Sequence, residues 1–306
     1  MIITNTHGLS AAWVRWAERF KTHYDRVGWR SITDLIKPPQ IVMLERRHEA
    51  EIETDIMDLR HAMLGDAMHA QLQENAPLAA ITEQRYIITI AGKEISFKPD
   101  IGESIELEND RQGVVLEDYK ICKAYAVKNV KMDWHHQLNA YAYGFRKRNI
   151  DVVKLGIWAF LKDWDWLEAQ KDQRYPQTGI VHLDVPMMGT QQILSYLEGR
   201  IQIHLQADEA ADDDLPECTM EERWAEPDRF AVKKQGGKVA LPNATFLTRS
   251  QAEAYVKDRK GKEPEFQEDI EFRPGLSKRC IGSGDFKGCP VRNWCRQWRE
   301  SINPAF

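Results

Sequence analysis

The run VVLEDYKICK, residues 114–123, is the segment that most narrows what this chain can build. Its β-branched and aliphatic start predicts a strand, in which successive side chains point to opposite faces. Val114, Leu116, Asp118 and Lys120 then share one face, and Val115, Glu117 and Tyr119 share the other. One face therefore passes from two aliphatic residues straight into an acid and a base. An unpaired charge taken out of water costs several kcal/mol, so Asp118 and Lys120 require a partner, a metal, or an open cleft at a strand end that reaches solvent.

Parity also sorts the acids. Glu117 points away from Asp118 and Lys120, so it is not the carboxylate that shares their chemistry. Asp100 ends the preceding run ISFKPD, with 17 residues between it and Asp118. That gap accommodates a strand end, a loop and a second strand, so neighbouring strand ends can present both carboxylates at one edge. Hard divalent cations such as Mg2+ or Mn2+ prefer oxygen donors of this kind, and an adjacent lysine can orient water and stabilise charge developing on a phosphate.

Along the rest of the chain, Trp13, Trp16 and Phe20 predict a helix over about 10–30, and Pro38-Pro39 breaks the chain before another. Ile56, Leu59, Met63, Leu64, Met68 and Leu72 mark an amphipathic helix from Asp55 to about Glu74. Two strand-like runs flank Ala91-Gly92-Lys93, a hairpin signal. MDWHHQLNAYAYGFRKRNI predicts a helix, VVKLGIWAFL a buried strand, and a further helix runs from Pro186 to about Ala207. This alternation predicts an α/β fold, a central mixed β-sheet flanked by helices. The acidic stretch ADEAADDDLPEC then suggests a boundary. The expected domains are 1–210 as the core with its N-terminal helices, 211–275 as a small α+β insertion, and 276–306 as a cysteine-rich tail packed on the core.

With 42% hydrophobic and 29% charged residues the chain has the composition of an ordinary globular protein. Its formal net charge of -5 excludes a global basic field, so any polyanion must bind in a local groove. Neither an apolar leader nor a run of 18 apolar residues is present, which predicts a cytoplasmic protein with no membrane contact.

The literal Pro99-Asp100 and Asp118-x-Lys120 resemble the defining positions of the PD-(D/E)xK nuclease superfamily, specifically its RecB-like branch. MLGDAMHAQL resembles the glycine-containing helix of that branch and places His69 as a metal ligand. QLNAY resembles its Gln-x-x-x-Tyr motif, with Gln137 and Tyr141 four apart on one helix face. All these elements occur in the family's order, and the resemblance covers about residues 30–165. It implies a restriction-endonuclease-like core that hydrolyses DNA phosphodiesters. His69, Asp100, Asp118 and the Tyr119 carbonyl would hold Mg2+ or Mn2+, Lys120 would position the attacking water, and Gln137 and Tyr141 would orient the scissile strand. The layout looks like bacteriophage-encoded stand-alone exonucleases of recombination or end resection, which implies linear DNA as substrate and a single-strand annealing protein as partner. Two alternatives stay open: an endonuclease of the same superfamily, and a non-catalytic DNA-binding or assembly module that keeps the fold.

Five cysteines are too few and too unevenly placed for a secreted disulfide scaffold, and three fall in the last 27 residues. Cys280, Cys289 and Cys295 lie in RCIGSGDFKGCPVRNWC, and Cys218 lies in LPECTMEERW. Four thiolates suit a structural zinc or an iron-sulfur cluster, and spacing does not separate the two. Cys289-Pro290 followed by Cys295 resembles the C-terminal pattern of RecB-like nucleases that carry a 4Fe-4S cluster, which implies such a cluster here, with Zn2+ as the alternative. Cys218 departs from that pattern by following the nuclease motifs, and the gap from Cys280 to Cys289 is wider than the pattern's. Cys122 reads as a small buried residue. Arg292, Arg296 and Arg299 with Trp294 and Trp298 form either a DNA-facing surface or a solvated terminal helix.

Overall fold

One tight hairpin turn and one long strand organise the first half of the molecule, seen in a computed structural model that describes residues 1–22, 27–82, 84–282, 284 and 286–302. The chain divides into two compact units, Met1–Pro216 and Glu217–Phe306.

In the first unit the strand Gln112–Cys122 lies at the centre of a five-stranded mixed sheet. Its order is Ile180–Val185, Val152–Leu161, Gln112–Cys122, Ile101–Glu106, Ile81–Thr82. Gln112–Cys122 runs antiparallel to Ile101–Glu106 and parallel to Val152–Leu161. A parallel pair needs a crossover, and the helix Met132–Arg146 supplies it. Leu116, Leu155 and Ile157 from the sheet meet Leu138, Tyr141 and Phe145 of that helix in one core. Ile193, Leu197 and Ile201, an i, i+4, i+8 stripe of the helix Thr190–Glu209, close the core from outside.

Ala91 and Gly92 both have positive φ (47° and 73°), the two-residue geometry that matches strand twist and joins Tyr86–Ile90 to Lys93–Phe97. This hairpin does not extend the central sheet. It pairs with Arg30–Ser31 in a separate three-stranded sheet, where Phe97 and Ile95 still face the shared core. The helix Ile56–Glu74 begins at Asp55, whose carboxylate accepts the Met57 N–H (3.0 Å) and the Thr6 N–H (2.9 Å). The helix expected over 10–30 is shorter: Ala11–Glu18 followed by a 3-10 turn, Arg19–Thr22. Among the described residues no helix is long and apolar enough to cross a membrane.

The second unit is built on an antiparallel sheet ordered Ala240–Phe246, Arg229–Lys234, Glu268–Arg273, with the helix Arg249–Lys262 packed on it. Two of the expected domain limits change. The boundary falls after Pro216 because Asp212 pairs with His48 (2.6 Å) and Arg47 (2.8 Å), while Arg47 also caps the carbonyl of Ala210 (2.7 Å) and Leu215 is buried. Residues 211–216 thereby belong to the first unit. The segments expected as insertion and tail form one unit, since Ala225 bridges to Ser277 and Gln297 brackets the backbone of Cys218.

Candidate active site

The register of the central sheet creates the site. Ile101 lies opposite Glu117, so Asp100, the residue before the strand, arrives beside Asp118 and Tyr119. Asp100 Oδ2 accepts the Tyr119 N–H at 2.8 Å, and its Oδ1 lies 3.5 Å from His69 Nδ1. His69 reaches in from the helix Ile56–Glu74, its ring edge-on to Tyr119 at 6.1 Å. Asp118 is 1% exposed. Its Oδ1 accepts from Gln137 Nε2 (3.3 Å), and Lys120 Nζ lies 2.5 Å from its Oδ2. Gln137 Nε2 also donates to the Tyr141 hydroxyl (2.9 Å), and Gln137 Oε1 accepts from Lys120 (3.4 Å).

The structure thus brings His69, Asp100, Asp118, Lys120, Gln137 and Tyr141 together, with the Tyr119 backbone between the two carboxylates. Burial raises the Asp100 carboxyl to about 7, and the Asp118 charge adds to the rise. Burial works against the charge of Lys120, but Asp118 and Asp100 outweigh it and the ammonium is held above its ordinary value. Tyr141 is driven up by burial, then by Asp118, and stays protonated. Two buried carboxylates with opposed demands are what a bound cation relieves.

On the other sheet face, Glu117 Oε1 meets His182 Nε2 at 2.8 Å, two strands away. They meet over Gly156 of the intervening strand, where a Cβ would stand 2.4 Å from His182 Nε2. Glu117 is therefore occupied outside the site. Sequence reasoning also missed the Thr33 hydroxyl, which bonds to Tyr141, and the pocket beside His69 and Asp100 lined by Leu72, Gln73, Ala76 and Thr82. No motif marks Thr33. Helical spacing does place Leu72 and Gln73 one turn beyond His69, and Ala76 follows just past the helix end.

Among the described residues no three His, Cys, Asp or Glu side chains are disposed to hold a metal ion between them. The donor set fits Mg2+ or Mn2+ nonetheless, because such ions bind through one or two carboxylates and complete their shell with water and substrate phosphate. Asp118 Oδ2 is buried and ion-paired with Lys120 at 2.5 Å, so a cation bound there would share that oxygen with the ammonium.

In the second unit Cys218, Cys280, Cys289 and Cys295 are thiols not joined in disulfides, three of them buried. Burial raises all four, and Cys289 and Cys295 add to the rise at Cys218. The Trp298 N–H donates to Cys295 Sγ at 3.4 Å, a contact that favours a thiolate. Among the described residues no three of these thiols are disposed to share a single metal ion. In a four-iron cluster each thiolate binds its own iron, so the ligands need not share a centre.

No protein-family model matches the chain, and no curated protein matches it significantly. Among solved structures, SSO0001 is similar at 17% identity with a TM-score of 0.44, over 62% of this chain and 84% of that one.

Proposed function

We propose that this chain is a divalent-metal-dependent deoxyribonuclease that degrades linear DNA from its ends. The observation that carries the reading is the adjoining pair of carboxylates, Asp118 buried and ion-paired with Lys120 and Asp100 held beside it by the Tyr119 N–H. The order of His69, Asp100, Asp118-x-Lys120 and Gln137-x-x-x-Tyr141, which resembles RecB-like nucleases, supports it.

Asp118, Asp100, the Tyr119 carbonyl and His69 would hold Mg2+ or Mn2+, which supplies Lewis-acid activation of water and of the scissile phosphate. Lys120, fixed between Asp118 and Gln137, positions the attacking water and meets the charge that grows on the phosphate. Gln137 holds Lys120, Asp118 and Tyr141 in one geometry from a rigid helix. Tyr141 remains protonated and accepts from Gln137, so it orients the site and carries no negative charge towards the substrate. The four cysteines would hold a 4Fe-4S cluster whose binding energy stabilises the second unit. The role is end resection or recombination of bacteriophage DNA in the host cytoplasm, beside a single-strand annealing protein.

The test follows end-labelled linear DNA and a closed circle in Mg2+, Mn2+ or EDTA. Metal-dependent loss of the linear DNA alone is expected, with Lys120→Ala slower by about 10²-fold or more. An unaffected Lys120→Ala variant refutes the assignment, and cutting of the circle converts it to an endonuclease. Anaerobic purification with iron, sulfide and zinc analysis tests the cluster separately.

A further inference from the structure

Between Asp118 and Asp133 the chain carries no acid and four lysines, Lys120, Lys123, Lys128 and Lys131, in a protein whose acids outnumber its bases 47 to 42. This arm leaves the site at the end of Gln112–Cys122 and returns to it at the helix that bears Gln137. Its inward residues anchor it: Cys122 and Ala124 are buried, and Ala126 and Val127 pack against the same cluster. Its backbone is tied down as well. Ala124 N–H donates to Asp163 Oδ1 (2.7 Å), and Lys162 N–H donates to the Cys122 carbonyl (3.0 Å). Ala126 N–H bonds to the Lys123 carbonyl (2.8 Å), and Asn129 Nδ2 to that of Tyr125 (3.3 Å). Lys123, Lys128 and Lys131 face solvent, and Tyr125 among them is 73% exposed.

A rigid arm with an exposed ring among cations, joined at both ends to the phosphate chemistry, fits a strand of nucleic acid. Lysines follow the backbone without regard to sequence. The ring adds discrimination. Inside a duplex both faces of a base are covered by its neighbours, so only an unpaired base stacks on a protruding tyrosine. We propose that residues 123–131 form a binding track for single-stranded DNA, with Tyr125 stacking an unpaired base and Lys123, Lys128 and Lys131 contacting its phosphates. The inference rests on the nuclease reading above and names its substrate: a single strand, or a duplex end with an overhang.

Fluorescence anisotropy of the full chain tests the track, with 5′-fluorescein-labelled dT20 and a blunt 20-base-pair duplex in EDTA, so that binding is read without hydrolysis. Tyr125→Ala is expected to weaken dT20 about 5- to 150-fold and leave the duplex unchanged, whereas Tyr125→Phe retains affinity. The Lys123→Gln/Lys128→Gln/Lys131→Gln variant is expected to lower the salt slope for dT20 by roughly 2, at about 0.7 per phosphate contact. No binding of dT20 by the unaltered chain, a Tyr125→Ala affinity within twofold of it, or an equal loss for the duplex overturns the track. A gel assay in Mg2+ separates the two readings. DNA degradation with an inert Tyr125 refutes the track and spares the nuclease. Tyr125-dependent binding without degradation in Mg2+ or Mn2+ supports the track and refutes the nuclease.

Discussion

Gly144 is where packing and the site are most tightly joined, and the same substitution elsewhere provides its control. It lies in the helix Met132–Arg146, one residue before Phe145, and a Cβ there would stand 2.6 Å from both Cε1 and Cζ of Phe97. Reaching ordinary contact at 3.4 Å requires the ring to retreat by about 0.8 Å. Phe97 has nowhere to go: it stacks on Tyr86 (5.3 Å) and Tyr141 (5.7 Å) and meets Phe145 edge-on (5.4 Å). Alanine in a helix interior gains about 1 kcal/mol over glycine, while overpacking a filled core costs about 1–3 kcal/mol. Gly144→Ala is therefore expected to be destabilised by up to about 2 kcal/mol, roughly 4–8 °C in Tm for a unit this size.

The displacement has a direction. Pushing Phe97 onto Tyr141 disturbs the hydroxyl that Gln137 holds, and with it the bonds from Gln137 to Asp118 and Lys120. On the proposed nuclease reading, DNA cleavage should fall further than the loss of folded protein explains. Gly199, in the helix Thr190–Glu209, has nothing within 4 Å of a Cβ, so Gly199→Ala should stabilise by about 0.5–1 kcal/mol and leave cleavage unchanged. Urea unfolding of both variants, with cleavage measured at matched folded fraction, tests the argument. A Gly144→Ala protein as stable as Gly199→Ala would refute it.

Other perturbations read separate parts of the structure. His204, 0% exposed and with Nδ1 unpartnered, is held down to about 4 by burial, then by Arg200 and Arg30. The unfolded chain binds a proton below about 6.5 and the folded chain does not until about 4, so stability falls as pH drops through that window. The loss attributable to His204 between pH 6.5 and pH 5 is about 2 kcal/mol; it should vanish in His204→Gln, and an unchanged pH dependence of urea unfolding in that variant counts against it. Lys120→Met strands the Asp118 carboxylate and should destabilise by about 3–5 kcal/mol, with part of the loss restored in the Lys120→Met/Asp118→Asn double variant. A double variant no more stable than the single one, by the same unfolding curves, speaks against a buried ion pair. Gly156→Ala drives a Cβ into His182 and towards Glu117, so thermal melts should show a lower Tm; a Tm equal to the parent's removes the case for contact over the strand.

What could be read from the sequence was whatever local periodicity fixes. The strand Gln112–Cys122, the turn at Ala91-Gly92 and the helix bearing Gln137 and Tyr141 each announce themselves within ten to twenty residues. The placement of the hairpin did not, because nothing local tells Lys93–Phe97 to pair with Arg30–Ser31 and not with the neighbouring Ile101–Glu106. The boundary was misplaced for a similar reason. An acidic run reads as a solvated linker until its partners are known, and those of Asp212 lie 164 and 165 positions away in His48 and Arg47.

Parity shows why the site was more legible than the fold around it. A strand fixes which of two adjacent acids shares a face with Lys120, whatever the rest of the chain does. It says that Glu117 must point elsewhere, and it is silent on what Glu117 finds there. The answer, His182 reached over a glycine on the strand between them, depends on a five-stranded order that no window of sequence contains. Burying Asp118 on one face and tying Glu117 on the other leaves one carboxylate, not two, to join Asp100. On the proposed nuclease reading, a dyad rather than a triad would leave coordination positions on a bound divalent ion open for water and phosphate.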